Sequence, residues 1–344
     1  MSITDFSSRV VAPARGLCDA FGRKIDYLRV SVTDRCNFRC LYCMSEDVTF
    51  LPRREVLSYD EMDRLCSAFI ALGVRRLRLT GGEPLIRRDI MTLVRGLSRH
   101  LDSGALDEIT MTTNGALLAR HAAALKAAGV RRINVSCDTL DPQVFRAISR
   151  RGDLARVLAG MDAALAAGLA IKINAVAMRG VNDGDLDRLI LYAHGRGMDV
   201  TVIETMPIGA VDSDRSSLFL PLSEVRRRLA RRFTLIDTDE RTAGPSRYVR
   251  LAETGGRVGF VSPLSHGFCG SCNRARLTCT GQLALCLGQD LFIDLKTPLK
   301  ASESDGPLYH AIEKAMMVKP HGHHFAEGHL KVPAVLHAMG MTGG

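Results

Sequence analysis

Two cysteine triplets are spaced for metal chemistry. Cys36, Cys40 and Cys43 form a C-x3-C-x2-C run, and Cys269, Cys272 and Cys286 form a C-x2-C-x13-C run toward the other end of the chain. Three thiolates hold three irons of a four-iron, four-sulfur cluster and leave the fourth iron open to a cofactor or substrate. A structural zinc ion wants four ligands. The spacing therefore predicts two clusters that do chemistry. Cys18, Cys66, Cys137 and Cys279 are left over and read as buried thiols without a role.

The elements that must hold these ligands follow from periodicity. Short apolar runs at 27–32, 76–79, 108–111, 132–136, 171–176 and 200–204 predict strands. Helical patterns at 59–72, 89–100, 117–128, 142–148 with 155–167, and 186–196 separate them. Gly73, Gly129, Gly168 and Gly197 each stop a helix just before a strand. Strand–helix units in series argue for an α/β fold with a parallel sheet, and a partial (βα)6 TIM-like barrel is the expected form. After Met206 the pattern changes to a loop at 206–217, a helix near 222–230, short strands near 233–236, 248–251 and 257–260, and a helix near 308–316. The expected division is an amino-terminal extension (1–24), the partial barrel (25–217) and a smaller attached region (218–344) carrying the second triplet. No internal repeat is evident.

Two further motifs lie beside the triplets. Gly81-Gly82-Glu83-Pro84 follows the second strand, and glycines there let backbone approach a ligand. Residues 272–286 read as a β-hairpin turning near Thr280-Gly281. A three-residue loop at 280–282 would set Arg276 opposite Cys286 and place Cys272, Arg274, Arg276 and Cys286 on one face. A two-residue loop would set Cys286 opposite Ala275 and turn the arginines away. The first register is expected. Two guanidiniums beside an open iron make a site for a polyanion.

Bulk properties narrow the classes. The chain has 344 residues, 46% hydrophobic content and a formal net charge of +9. It lacks a run of 18 apolar residues, and its first residues lack a signal-peptide pattern, so a cytoplasmic protein without membrane or disulfide chemistry is expected. The charge favours an anionic partner. Arginines come in pairs (75–76, 87–88, 131–132, 150–151) with one run at 226–228, and tryptophan is absent. Base-stacking platforms need aromatics, so nucleic acid is not the expected partner.

C-x3-C-x2-C with Gly-Gly-Glu-Pro resembles the radical S-adenosylmethionine (SAM) superfamily. Adding C-x2-C-N-R-A-R-L, the third cysteine and a terminal Gly-Gly, the chain from about residue 22 to 344 closely resembles the GTP 3′,8-cyclase family within it. The resemblance implies a lyase with two [4Fe-4S] clusters and SAM as cofactors, catalysing the first step of molybdenum cofactor biosynthesis. A 5′-deoxyadenosyl radical would take hydrogen from ribose C3′ of GTP, and C3′ would join C8 to give 3′,8-cyclo-7,8-dihydro-GTP. It implies that Cys36, Cys40 and Cys43 hold the SAM cluster, and that Tyr42, Gly82, Ser136 and Met206 line SAM. It assigns Arg29, Arg78, Thr112, Lys172, Arg274, Ala275 and Arg276 to GTP, and Cys269, Cys272 and Cys286 to a second cluster whose open iron meets the guanine edge. Arg274, Arg276, Gly343 and Gly344 are the expected catalytic group, the paired glycines entering the active site. Implied partners are a low-potential electron donor and a downstream cyclic pyranopterin monophosphate synthase; a homodimer is compatible.

Departures are small. Cys137 stands where the family more often has leucine, and Cys279 where a small or polar residue is usual. His321, His323, His324 and His329 are read as a loop with surface or phosphate contacts rather than a metal cluster. Two alternatives stand beside this reading: a radical SAM peptide-modifying enzyme with an auxiliary cluster, and a basic zinc-bearing nucleic-acid-binding protein.

Overall fold

The computed structural model describes residues 16–323, 325, 330, 333–335 and 337–343. Six strand–helix units come first: β1 (Tyr27–Ser31), α1 (Tyr59–Ala71), β2 (Arg76–Thr80), α2 (Ile90–Asp102), β3 (Glu108–Thr113), α3 (Leu118–Ala127), β4 (Arg132–Ser136), α4 (Pro142–Ser149), α5 (Leu154–Ala166), β5 (Ala170–Ala177), α6 (Leu186–His194) and β6 (Asp199–Glu204). Then follow α7 (Arg215–Leu218), α8 (Leu222–Leu229), β7 (Leu235–Asp237), β8 (Arg247–Leu251), β9 (Arg257–Val261), β10 (Arg274–Leu277), β11 (Gln282–Ala284), β12 (Phe292–Asp294), α9 (Lys296–Ala301), α10 (Gly306–Met317) and α11 (Met339–Thr342).

Local signals explain the boundaries. Ser58 and Glu61 form a reciprocal capping box on α1. Asp141 and Asp153 accept backbone N–H bonds at the starts of α4 and α5. The helix-ending Gly73, Gly129, Gly168 and Gly197 all take positive φ. Asp214 caps α7 inside the stretch expected to be loop.

Strands β1 to β6 lie parallel and in chain order. Their two faces differ sharply. Leu28, Val30, Leu77, Leu79, Ile133 and Val135 sit in the core packed beneath the helices. The alternate positions Arg29, Arg78, Thr110, Asn134 and Lys172 are polar and buried. Period-two alternation therefore makes a wet, cationic face inside an apolar shell.

The carboxy-terminal region does not stand apart from this sheet. β10 pairs parallel with β1, and β9 pairs parallel with β6. One twelve-stranded sheet results, in the order β12-β11-β10-β1-β2-β3-β4-β5-β6-β9-β8-β7, and its two end strands are not neighbours. Arginines form ion pairs at the amino ends of the strands: Arg76–Asp26 at 2.9 Å, Arg132–Glu108 at 2.9 Å and Arg257–Asp199 at 2.5 Å. Cys66, Cys137 and Cys279 are buried as expected, whereas Cys18 is exposed because it lies on a short surface bridge to Lys24.

Two facing cysteine pockets in one lumen

The loop after β1 carries the first triplet, and the Gly-Gly-Glu-Pro turn after β2 packs directly on it. Gly82 N–H donates to Thr33 O at 2.8 Å, and Glu83 N–H to Arg35 O at 2.8 Å. A Cβ at Gly82 would lie 2.1 Å from Arg35 O, so only glycine allows this approach. Glu83 is buried and accepts from Asn114 N at 2.6 Å, Thr113 Oγ1 at 2.8 Å and Leu85 N at 2.9 Å. Burial raises its carboxyl to about 7 against those three bonds. Tyr42 OH donates to Asp138 at 3.0 Å, and burial raises Asp138 to about 6. All three thiols open onto one pocket with Tyr42, Gly82 and Ser136. Thr112, expected among the GTP contacts, also lines this pocket. The hydroxyls of Thr112 and Thr205 are buried here without a hydrogen-bond partner among the described residues.

The second triplet brackets β10. Its hairpin turns through three residues, but they are 279–281 rather than 280–282. Thr278 N–H bonds Gln282 O at 2.8 Å, and Gly281 takes φ +85°. The glycine is the last loop residue because the left-handed position of such a loop comes there. Arg276 consequently lies opposite Ala284, not Cys286. A shift of two residues preserves side-chain parity, so Arg274, Arg276, Cys272 and Cys286 still share one pocket. Ala275 turns its methyl into the core, leaving only its backbone for a ligand.

Register then builds a cation row. Arg276 pairs with Arg29 across β10 and β1, and Arg29 with Arg78 across β1 and β2. Arg29, Arg78, Lys172, Arg274 and Arg276 all line the second pocket. They lie within β1, β2, β5 and β10. Arg78 Nε donates to Thr110 Oγ1 at 3.3 Å, and Lys172 Nζ to Tyr248 OH at 2.8 Å. Burial and the neighbouring guanidiniums depress Arg29 well below its ordinary value, and Arg276 to about 10. Burial also depresses Lys172. Crowded buried cations of this kind call for an anion.

Asn174, Ile203 and Met206 line both pockets, so the two adjoin. Gly343 reaches into the lumen: its carbonyl accepts from Arg276 at 2.7 Å. It takes φ +70°, and a Cβ there would meet Thr80 Cγ2 at 2.1 Å. Gly344, His324 and His329 lie outside the described residues. His323 lines the second pocket, whereas the His321 ring packs edge-on against Phe21.

Several supporting residues escaped the sequence reading. Arg23 donates to Cys269 O at 2.7 Å and to Pro320 O at 2.7 Å, pinning the second-triplet loop from the amino-terminal segment. Lys319 is buried in the second pocket with its Nζ on Leu285 O. Glu204 lines the first pocket and accepts from Leu264 N at 3.1 Å and Ser265 N at 3.2 Å, holding the loop that leads to Cys269. Their partners lie far away in sequence, so spacing carried no signal.

The donor sets fit clusters with one open iron. Each pocket is lined by three cysteines and, among the described residues, no fourth. Among the described residues no three His, Cys, Asp or Glu side chains converge on one ion-sized point. A four-iron cluster binds each thiolate to a different iron and does not require that convergence.

Comparison with known proteins agrees with this architecture. Residues 30–193 match the family described as Radical SAM superfamily, and residues 198–325 match Molybdenum Cofactor Synthesis C. GTP 3′,8-cyclase of Agrobacterium fabrum is 59% identical, covering 95% of this chain and 94% of its own. The Brucella canis protein of that name is 58% identical over 97% of this chain and 98% of its own. Among solved structures, Streptococcus suis SuiB bound to S-adenosylmethionine superposes with a TM-score of 0.55 at 16% identity, covering 84% of this chain and 67% of that one. That likeness concerns the fold alone. With relatives this similar over nearly its whole length, the chain belongs to the GTP 3′,8-cyclase family of the radical SAM superfamily.

Proposed function

We propose that this enzyme converts GTP into 3′,8-cyclo-7,8-dihydro-GTP, using SAM and a [4Fe-4S] cluster at each cysteine triplet. When bound, SAM and the first cluster supply the radical that starts the reaction. The observation that carries the proposal is the row Arg276–Arg29–Arg78, joined by Lys172 and Arg274, in a pocket adjoining that of the first triplet.

Cys36, Cys40 and Cys43 would hold the first cluster, with Tyr42, Gly82, Ser136 and Met206 around SAM and Thr112 toward GTP. Cys269, Cys272 and Cys286 would hold the second. GTP carries several negative charges, and the converging cations would bind its triphosphate and fix its orientation. The base would then lie toward the second triplet and the ribose toward Met206 and the first pocket. Gly343 would bring backbone carbonyl beside the substrate, holding Arg276 in place. With substrate bound, sheet and tail would help keep water from reactive intermediates. A low-potential electron donor, a downstream synthase acting on the cyclised nucleotide, and a cytoplasmic location belong to the same proposal. No helix among the described residues is long and apolar enough to cross a membrane.

A peptide-modifying enzyme would have no use for a buried cation row. A nucleic-acid duplex could not reach it, since Arg29, Arg78 and Arg276 are buried. The test is anaerobic incubation of the cluster-loaded enzyme with SAM, reductant and GTP. GTP-dependent 5′-deoxyadenosine together with a product isomeric with GTP is expected. Formation of 5′-deoxyadenosine indifferent to GTP would contradict the substrate assignment.

A further inference from the structure

We propose that His323 sets base specificity by donating one hydrogen bond from Nε2 to the 6-oxo group of the bound purine. The inference rests on the GTP reading above. His323 lines the second pocket beside Cys272, Cys286 and Arg274. Its Nδ1 accepts the backbone N–H of Phe325 at 3.2 Å. A backbone N–H only donates, so Nδ1 carries the lone pair and the neutral ring holds its proton on Nε2. Nε2 is buried without a hydrogen-bond partner among the described residues. A buried donor left unmade is costly, and a ligand acceptor would relieve that cost.

The donor is held in place from several sides. Arg23 binds Pro320 O at 2.7 Å and His321 O at 2.5 Å, and Gln289 Nε2 binds Gly322 O at 2.7 Å. The His323 ring lies on the Phe325 ring with centroids 4.3 Å apart and planes 32° apart. Gly288 leaves the necessary room, since a Cβ there would lie 2.5 Å from His323 Cβ. With the triphosphate on the arginine row, the base is carried toward this ring. Guanine presents acceptors at O6 and N7, whereas adenine presents an amino donor at position 6. A fixed N–H opposite position 6 therefore meets an acceptor in GTP and a second donor in ATP. A site built on such a hydrogen bond rejects the mismatched analogue strongly.

The experiment measures equilibrium binding of GTP, ITP and ATP to the cluster-loaded enzyme under anaerobic conditions, with iron content determined in parallel. The parent should favour GTP and ITP over ATP, since inosine keeps the 6-oxo group. His323→Phe keeps the ring but loses the donor, and should bind GTP and ITP about ten-fold more weakly with ATP little changed. His323→Gln restores an N–H and should recover part of the preference. A His323→Phe enzyme that still prefers GTP over ATP as the parent does would overturn the proposal. Loss of iron from the second site in that variant would also overturn it, by making His323 part of the cluster support. A parent that binds no GTP would instead remove the substrate reading itself.

Discussion

Around Cys36, Cys40 and Cys43 the buried titratable neighbours include two acids, Glu83 and Asp138, while Cys269, Cys272 and Cys286 share their pocket with Arg274, Arg276 and Lys319. The thiols respond differently. Burial, with Glu83 adding to it, pushes Cys36 up to about 12, and burial pushes Cys43 up to about 11. In the second triplet burial still raises Cys286, but at Cys272 Arg274 and Lys319 outweigh it and hold that thiol below its ordinary value. Arg39 and Arg215 do approach the first triplet, but they donate to backbone carbonyls, Arg39 to Cys36 O at 2.8 Å and Arg215 to Gly209 O at 2.7 Å. The first site thus mixes two acids of raised pKa with two arginines, whereas the second is lined by cations and, among the described residues, by no carboxylate. The cation-lined second pocket suits a polyanion such as the proposed GTP.

Cysteine substitutions test that division most severely. Cys40→Ala should reduce 5′-deoxyadenosine formation to background. Cys272→Ala should leave SAM cleavage near the parent rate while the cyclised product disappears. Chromatography of both products separates the two outcomes, and equal loss of both in either variant would erase the division of labour.

Charge in the second pocket comes next in size. Arg276→Ala removes a charge-assisted contact worth about 1.5–3 kcal/mol, which is roughly a 10- to 150-fold loss of GTP affinity. Iron at the first triplet should be unaffected. Unchanged affinity, measured anaerobically by calorimetry, would refute the triphosphate assignment.

Proton linkage should move the two regions in opposite directions. Glu83 is raised to about 7 in the folded state, so the fold holds a proton that the unfolded chain has released. Ligand-free stability should therefore fall as pH rises from the ordinary glutamate range through about 7, and Glu83→Leu should flatten that slope. Arg276 is lowered to about 10, so its charge costs stability below that pH, and the cost fades as pH rises through 10. GTP affinity should weaken over that same alkaline rise, as the cation is lost. Thermal melts with and without GTP across the range check both signs.

The smallest expected effect lies where the pockets meet. Gly343→Ala forces a side chain onto a left-handed backbone and against Thr80, at a cost of about 1–2 kcal/mol. Product yield should drop several-fold while SAM binding is retained. Full product yield would mean that the tail does not shape the lumen.

The sequence made the barrel half of this structure legible because its signals are local. Alternating strands, helix-stopping glycines and the cysteine spacings all act within a few residues. The predicted strand at 132–136 and the β4 of the structure coincide. Hairpin parity was also legible, but not the loop position, because Gly281 could stand within the loop or close it. The sheet's continuity was hidden. Parallel pairing of β10 with β1 joins segments at opposite ends of the chain, and no periodicity records it. Thr112, which the resemblance assigns to GTP, lines the first pocket near the end of β3, a placement that depends on the folded sheet. Arg23, Lys319 and Tyr248 carried no signal in the sequence, because the fold alone brings them to Cys269, Leu285 and Lys172.

The central claim is that chemistry begun in the first pocket reaches a nucleotide held in the second. The direct measurement uses GTP carrying deuterium at ribose C3′, incubated anaerobically with the cluster-loaded enzyme, SAM and reductant, followed by mass spectrometry of 5′-deoxyadenosine. Deuterium in 5′-deoxyadenosine, alongside a product isomeric with GTP, is the predicted result. Unlabelled 5′-deoxyadenosine formed at the same rate without GTP would contradict it.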